Sequence, residues 1–586
     1  MIISEVLAAM DAGEWGYMSA AAGAVESLRR AGVTRVFGIP AVASSDLFSA
    51  FAGSRIEVIV TTGEQSAAHM ADAHSRVTGE LSVCLVGPGA GLTGSLGGIT
   101  AARLDSSPLI VLVSSYGMIH RQLYASRLQM MDPLIGSRPL CKGAFSVDQP
   151  EEVPSVFSQA VQLARGGEPG PVLIEMPAEV QNRSCRMEGT GFRQGPRVLA
   201  ETAVRELERV VDALAGEGPI GLYAGAGCFG AIDELTELAQ RLGAPVACSI
   251  SGLGVLPAQN PLFTGFGPGP AGAPLSQSAF SRCRMVLALG CKFCEVETEA
   301  GESEPGKIVH IDLEPARLVR DERIVTIQAP VKQALRFILD GLKEGKGSDM
   351  SELLLQGKRE LKQALSRRAD WEDAVDPVKF FIVLRELLGA EDRLILDAGR
   401  HVYFGIACYP VQSPRTLVVP VGYRALGFAV PAAIAASLAR PELRVVACVG
   451  DGGFLLGGTE LLTARRCNVA PVIVVFSEIP PDSLASSGSR LLDRETLFGL
   501  VPVNYELFAR ALDVGYVRIM KDADLQDGLK RALTMDAPVV VELRVAYREA
   551  DAYLKGARRK AWQRLPRSLS LRLGAQYIMH RILEGA

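Results

Sequence analysis

The chain has 586 residues, 48% of them hydrophobic and 22% charged, with a formal net charge of −4. That length argues for three or four domains, and the balance excludes a disordered or fibrous chain. There is no overall basic footprint for nucleic acid, and no apolar run reaches the roughly 18 residues of a spanning helix, so neither nucleic acid nor membrane is an expected partner.

The opening stretch "MIISEVLAAMDAGEWGYM" carries acids and no basic residue, a poor pattern for a secretory signal. Eleven cysteines are scattered, mostly in apolar runs such as "LSVCLVG" and "RVVACVG", and read as reduced core thiols of a cytoplasmic protein. From "RIEVIVTT" onward, short β-branched runs alternate with Ala-, Leu- and Glu-rich stretches, which predicts doubly wound parallel sheets with helices on both faces. Polar segments at 183–197 and 343–373 divide the pattern into three α/β domains, 1–182, 198–343 and 374–547. "AVQLARGGEPGPVLIEMP" near the end of the first and "GLKRALTMDAPVVVELRV" near the end of the third echo each other as helix, turn and buried strand. Residues 548–586 hold nine Lys/Arg against three Asp/Glu and read as two amphipathic helices broken at Pro566. This basic tail is expected to cover an active-site mouth or a subunit interface rather than a membrane.

Candidate chemistry sits at strand ends, where ligands of open α/β sheets bind. Glu64 follows "VIVTTG" and begins a helical stretch, a position that a helix-terminal charge alone would explain. In the middle domain, Gly225-x-Gly227-x-x-Gly230 has the shape of a dinucleotide fingerprint, but the next strand, "APVACSI", lacks the acid that would hold a ribose. Cys291 and Cys294 form one CxxC without a second, so packing is the better reading than zinc. "LILDAGRH" presents Asp397, Gly399 and His401, and "VPVGYRALGFAV" is a Gly-broken loop entering an Ala-rich helix. "VVACVGDGGFLL" ends in Gly450-Asp451-Gly452-Gly453, whose amides suit an anion. A carboxylate beside a phosphate needs a cation between them, and Mg²⁺ is the natural bridge. "PVIVVFSEIPPD" ends in Glu478, 27 positions past Asp451.

Taken together these motifs resemble the thiamine-diphosphate enzymes of the acetolactate synthase group, over nearly the whole chain to about residue 545. "GEQSAAHMADAHSRVTG" resembles the cofactor-activating glutamate helix, and "VGPGAGLTGSLGGITAARLDSSPLIVL" the strand and loop after it. "LQMMDPLIGSRPLCKG" is similar to an active-site segment whose Gln and Lys land on Gln129 and Lys142. "IVHIDLEPA" resembles the close of the middle domain, "LDAGRH" the diphosphate-binding turn and "GDGG" the metal and diphosphate motif. The resemblance implies pyrimidine-binding, central and diphosphate-binding domains, each active site built from two chains of a homodimer or homotetramer. It implies Glu64, Gln129 and Lys142 as catalytic, and Gly399, His401, Leu426, Gly450, Asp451, Gly452 and Gly453 as cofactor-binding. Asp451, Glu478 and Pro480 would ligate Mg²⁺, and Leu426 would bend the cofactor into its V shape. The implied reaction is decarboxylation of a 2-oxo acid and ligation of the product to a second carbonyl compound, with the cofactor as electron sink.

Some relatives hold FAD in the central domain. Of the segment expected for it, "KFCEVE" keeps only the Phe, so FAD is an alternative without support. Ser477 and Glu478 replace an Asn pair, Ile479-Pro480-Pro481 replaces glycines, and Met130 stands where a Glu is usual. These departures motivate one alternative from another class, a catalytically altered homologue serving as a binding or regulatory subunit.

Overall fold

The computed structural model describes residues 17–116, 133–187, 199–216, 218–269, 272–293, 307–314, 324–342, 350–478 and 503–547. Gln129, Pro480 and the basic tail from 548 lie outside them, as does the segment after Glu478.

After a short strand β1 (Tyr17–Ser19), six strands form an all-parallel sheet: β2 (Arg35–Gly38), β3 (Glu57–Val60), β4 (Ser82–Val86), β5 (Leu109–Ser115), β6 (Gly143–Ser146) and β7 (Pro171–Pro177). Their order is β3-β2-β4-β5-β7-β6, while β8 (Ser184–Arg186) pairs antiparallel with β1. The central sheet holds β9 (Ile220–Ala224), β10 (Val246–Cys248), β11 (Phe263–Phe266), β12 (Met285–Leu289), β13 (Lys307–Asp312) and β14 (Ile324–Gln328). Its order, β11-β10-β9-β12-β13-β14, is that of a doubly wound dinucleotide fold. The third sheet holds β15 (Arg393–Leu396), β16 (Leu417–Val418), β17 (Val445–Gly450), β18 (Val472–Glu478), β19 (Gly515–Ile519) and β20 (Val539–Val545), in the order β16-β15-β17-β18-β20-β19.

Counted within each sheet, the first and third orders are the same: second, first, third, fourth, sixth, fifth. The two echoing sequence segments end in β7 and β20, the sixth strand of each. The chain therefore carries two related α/β units around a differently ordered one. Strands such as β4 and β5 are buried along their whole length, which parallel strands covered by helices on both faces require.

Two helices join the outer domains. Helix α1 (Glu64–Thr78) has Glu64 in its first turn and Arg76 in its last, matching the helix dipole. It stops at Gly79, whose left-handed φ of +79° lets its N–H reach the Ser75 carbonyl. Helix α2 (Ala90–Leu104) packs beside α1, and α3 (Ala429–Ala439) packs across it. Alanines of α1 and α3 share one buried cluster, so the first and third domains are held by a common core. Arg76, ion-paired to Asp72 and Asp105, also donates to the Val419 carbonyl at 2.9 Å and ties the same seam. A larger cluster joins the central and third sheets.

Two sequence expectations change in detail. The polar stretch 343–373 contains a helix, Ser351–Ser366, anchored by buried Leu354 while Leu355 and Leu361 face outward. The helix expected after the glycine motif begins on Asp451 itself: α4 (Asp451–Gly457) is followed by a tight turn at Gly458–Glu460 and a second helix, Leu461–Arg466. Among the described residues no helix is long and apolar enough to cross a membrane. The described cysteines are all free, and all but Cys467 are buried. Burial pushes the Cys141 thiol up to about 12.

Candidate active site

In the third sheet the strand order reverses between β15 and β17, and the crevice beyond their carboxyl ends is where a ligand belongs. The Asp397 turn leaves β15 and the Gly450-Asp451 turn leaves β17. Asp397 is fully buried, and its carboxylate accepts the N–H of Ala398 at 2.7 Å and of Gly427 at 3.0 Å. Burial pushes it up to about 7, against the opposing pull of the amides of Ala398, Gly427, Phe428 and Ala429. This carboxylate thus pins the entry of α3 to the β15 turn.

The glycines of the motif separate by what surrounds them. A side chain on Gly450 would meet nothing within 4 Å, and one on Gly452 only Leu426 Cδ2 at 3.8 Å. A Cβ on Gly453 would lie 2.3 Å from Asp397 Oδ2 and 2.8 Å from Val449 Cγ2. Gly450 and Gly452 therefore edge open space, whereas Gly453 lets α4 pass over Asp397. Gly453→Ala is expected to cost about 1–3 kcal/mol of overpacking, measured as a lower thermal midpoint. Gly452→Ala should leave that midpoint unchanged, which makes it the control.

His401 folds back under the Gly399 turn so closely that a Cβ on Gly399 would sit 2.7 Å from its Cε1. The ring lies tilted by 31° against Phe476 with centroids 5.2 Å apart, and its Nε2 is buried without a hydrogen-bond partner among the described residues. Burial lowers its pKa to about 4, so the imidazole is neutral near pH 7. Leu426 is 44% exposed beside Gly452. A cavity of about 330 Å³ opens against the Ala398–Arg400 turn, walled by Ile250 of the central domain and by Val419 and Arg424.

Asp451, half-buried, accepts a 2.5 Å hydrogen bond from the Tyr505 hydroxyl. Gly450 is in register with Phe476 on the neighbouring strand, so Asp451 and Glu478 leave adjacent strands within two residues of one another. The backbone of Glu478 ends β18 opposite Val545.

In the first domain Glu64 opens α1, half-buried, and its carboxylate oxygens lie 3.7 Å from where a Cβ of Gly91 or Gly94 on α2 would stand. A methyl group at either position would stand in ordinary van der Waals contact with the Glu64 side chain. The turn before it is fixed from the third domain: fully buried Glu460 accepts from the Thr62 N–H at 3.0 Å and hydroxyl at 2.5 Å, and from Thr463 at 2.6 Å. Lys142 stands elsewhere. It precedes β6 at the amino edge of the sheet, whereas Glu64 follows the carboxyl end of β3. Its ammonium caps the carbonyls of Leu163 and Gly166 at 2.5 Å, at the end of helix Val153–Arg165. Within one chain the structure does not bring Lys142 to Glu64.

Two of the three fingerprint glycines of the central domain, Gly225 and Gly227, pack against the protein itself, while Gly230 faces open space. Gly225 N–H donates to Leu289 O at 2.8 Å and Gly227 N–H to Gly290 O at 3.0 Å, and a Cβ on Gly225 would lie 2.1 Å from the Gly290 oxygen. Gly225 and Gly227 let the loops after β9 and β12 touch, and their amides are spent on that contact.

The outer domains fit a diphosphate cofactor: open glycines and an anchored carboxylate at the switch point of one, a helix-initiating glutamate against glycines in the other. The family profiles agree. Residues 18–134 match the N-terminal TPP binding domain of thiamine pyrophosphate enzymes, 207–338 their central domain and 397–543 their C-terminal TPP binding domain. The chain belongs to the thiamine pyrophosphate enzyme family. Within it, the chain is 29% identical to a probable acetolactate synthase large subunit of Methanocaldococcus jannaschii over 563 residues, 91% of this chain and 93% of that protein. It is also 29% identical to the chloroplastic acetolactate synthase 2 of Nicotiana tabacum, over 90% of this chain and 82% of that one. The acetolactate synthase isozyme 3 large subunit of Escherichia coli K12 is 29% identical over 78% of this chain and 82% of its own length. The family expected from the motifs is thus borne out, and with it a thiamine-diphosphate-dependent enzyme of the acetolactate synthase-like group.

Proposed function

We propose that the protein decarboxylates a 2-oxo acid and joins the product to a second carbonyl compound, using thiamine diphosphate held with Mg²⁺. The observation that carries this is Glu64, set at the start of α1 with its carboxylate against two glycines, where a flat aminopyrimidine has room to approach. When bound, the cofactor supplies the nucleophilic carbon and the electron sink. Glu64 exchanges a proton with N1′ of the aminopyrimidine, and Glu460 keeps the Thr62 turn from drifting while it does so. Gly450 and Gly452 leave the diphosphate space, Leu426 presents an apolar surface to the bend of the cofactor, and Asp451 ligates the cation.

Two chains build each site in this reading. Glu460, in the turn that follows α4, ties the Thr62 turn of the first domain to the third domain of the same chain. Tyr423, Leu426, Leu455 and Leu456 are exposed beside the glycine motif and are apolar enough to be covered by a second copy. The presence of both Glu64 and Asp451 favours an enzyme over a binding subunit.

The test is direct. Purified protein is supplied with thiamine diphosphate, Mg²⁺ and pyruvate or longer 2-oxo acids, and CO₂ release and carbon–carbon-joined products are measured. A mass spectrum of cofactor released from the protein accompanies the assay. CO₂ together with a ligated product is expected; no CO₂ from any acid, with cofactor bound, would transfer the case to the binding subunit.

A further inference from the structure

Helix α5 (Tyr505–Ala511) contributes nothing to the glycine and carboxylate motifs, yet it grips α4 in two ways. The side chain of Asn504 accepts the Leu507 N–H at 2.9 Å and so fixes the helix start, with Tyr505 as its first residue. Tyr505 is buried, and its ring meets Phe454 of α4 edge-on at 5.4 Å and 78°. Phe508, one turn further along α5, also meets Phe454, at 5.1 Å and 62°. Phe454 lies one turn after Asp451 on α4, so the ring pair holds the helix while the Tyr505 hydroxyl reaches Asp451 Oδ1 at 2.5 Å.

The Tyr505 hydroxyl gives Asp451 a short, directed hydrogen bond from a buried ring. With it, one carboxylate oxygen is committed to a neutral donor and the plane of the group is set. A neutral donor does not itself cancel the negative charge of the carboxylate. Groups that orient metal ligands in this way typically contribute 10–100-fold to metal affinity.

We propose that Tyr505 is the positioning residue of the cation site: its hydroxyl fixes Asp451 in the orientation that receives a divalent cation. This rests on the reading of Asp451 as a ligand of that cation. The test uses the full chain, with thiamine diphosphate binding followed calorimetrically at a series of Mg²⁺ concentrations. Tyr505→Phe keeps the ring on Phe454 and removes only the hydroxyl. The Mg²⁺ concentration for half-maximal cofactor binding is expected to rise at least about tenfold, with binding restored at high Mg²⁺. Phe508→Leu loosens the same packing but keeps the hydroxyl; it should lower the thermal midpoint of the cofactor-free chain and leave the Mg²⁺ requirement alone. A Tyr505→Phe protein with the unaltered Mg²⁺ requirement, or a Phe508→Leu shift as large as that of Tyr505→Phe, overturns the positioning role. If the unsubstituted protein binds the cofactor equally well in chelator, the cation reading itself fails and the proposal falls with it.

Discussion

Glu64→Gln is expected to lower turnover by on the order of 10²–10⁴-fold while cofactor binding persists. The amide keeps the size of the side chain against Gly91 and Gly94, so the glycine-lined opening is preserved. It cannot release and regain a proton at N1′, which is the role proposed for the carboxyl. A thousandfold loss corresponds to about 4 kcal/mol of transition-state stabilisation. Calorimetric titration with thiamine diphosphate separates the two effects: affinity should change by far less than the turnover number. Turnover equal to that of the unsubstituted protein would remove Glu64 from the chemistry. Loss of binding together with turnover would make it a binding group instead.

Glu460→Ala should show the reverse balance of causes. Removing that carboxylate takes a charged acceptor from the Thr62 N–H and hydroxyl and from the Thr463 hydroxyl in a partly buried seam, where a hydrogen bond to a charged group is worth about 1.5–3 kcal/mol. A lower thermal midpoint should therefore accompany its loss of activity, whereas Glu64→Gln should leave the midpoint in place.

What the sequence made legible is what lies close along the chain. A buried strand ending in glycine and a carboxylate is a local pattern, so the ends of β3, β15 and β17 were all found as candidate sites. The equivalence of the outer domains was visible in two segments because each ended in the same structural strand, the sixth of its sheet. Pairings between distant elements leave no such trace. Tyr505 is 54 positions from Asp451, and Thr62 is 398 from Glu460. Neither the Tyr nor the Glu differs in its own neighbourhood from an ordinary helix residue. The motif sets Gly453 alongside Gly450 and Gly452, yet its surroundings are Asp397 and Val449 rather than open space. Lys142 was assigned a catalytic role by resemblance alone; that its ammonium caps a helix end could not be inferred without knowing that the chain turns there.

Asp451→Ala is expected to weaken cofactor binding in Mg²⁺ by at least about a hundredfold, since even groups that merely orient ligands contribute up to that much. The same substitution should have little effect on the residual binding measured in chelator, because what it removes is the bridge between protein and diphosphate. Glu478 sharpens the case. Its backbone leaves the strand beside that of Asp451, and a carboxylate directed at the proposed diphosphate site would add negative charge there. Such a charge is tolerable only when a cation or another partner neutralises it. If Glu478 ligates the cation with Asp451, Glu478→Asn should keep Mg²⁺-dependent binding and activity, because the amide oxygen still coordinates. Glu478→Ala should weaken both, and combining it with Asp451→Ala should cost less than the sum of the two, since both act on one ion. Full additivity would place the two carboxylates in separate sites. Glu478→Ala that binds cofactor and Mg²⁺ as tightly as the unsubstituted protein would leave Asp451 as the only carboxylate of the pair at the cation.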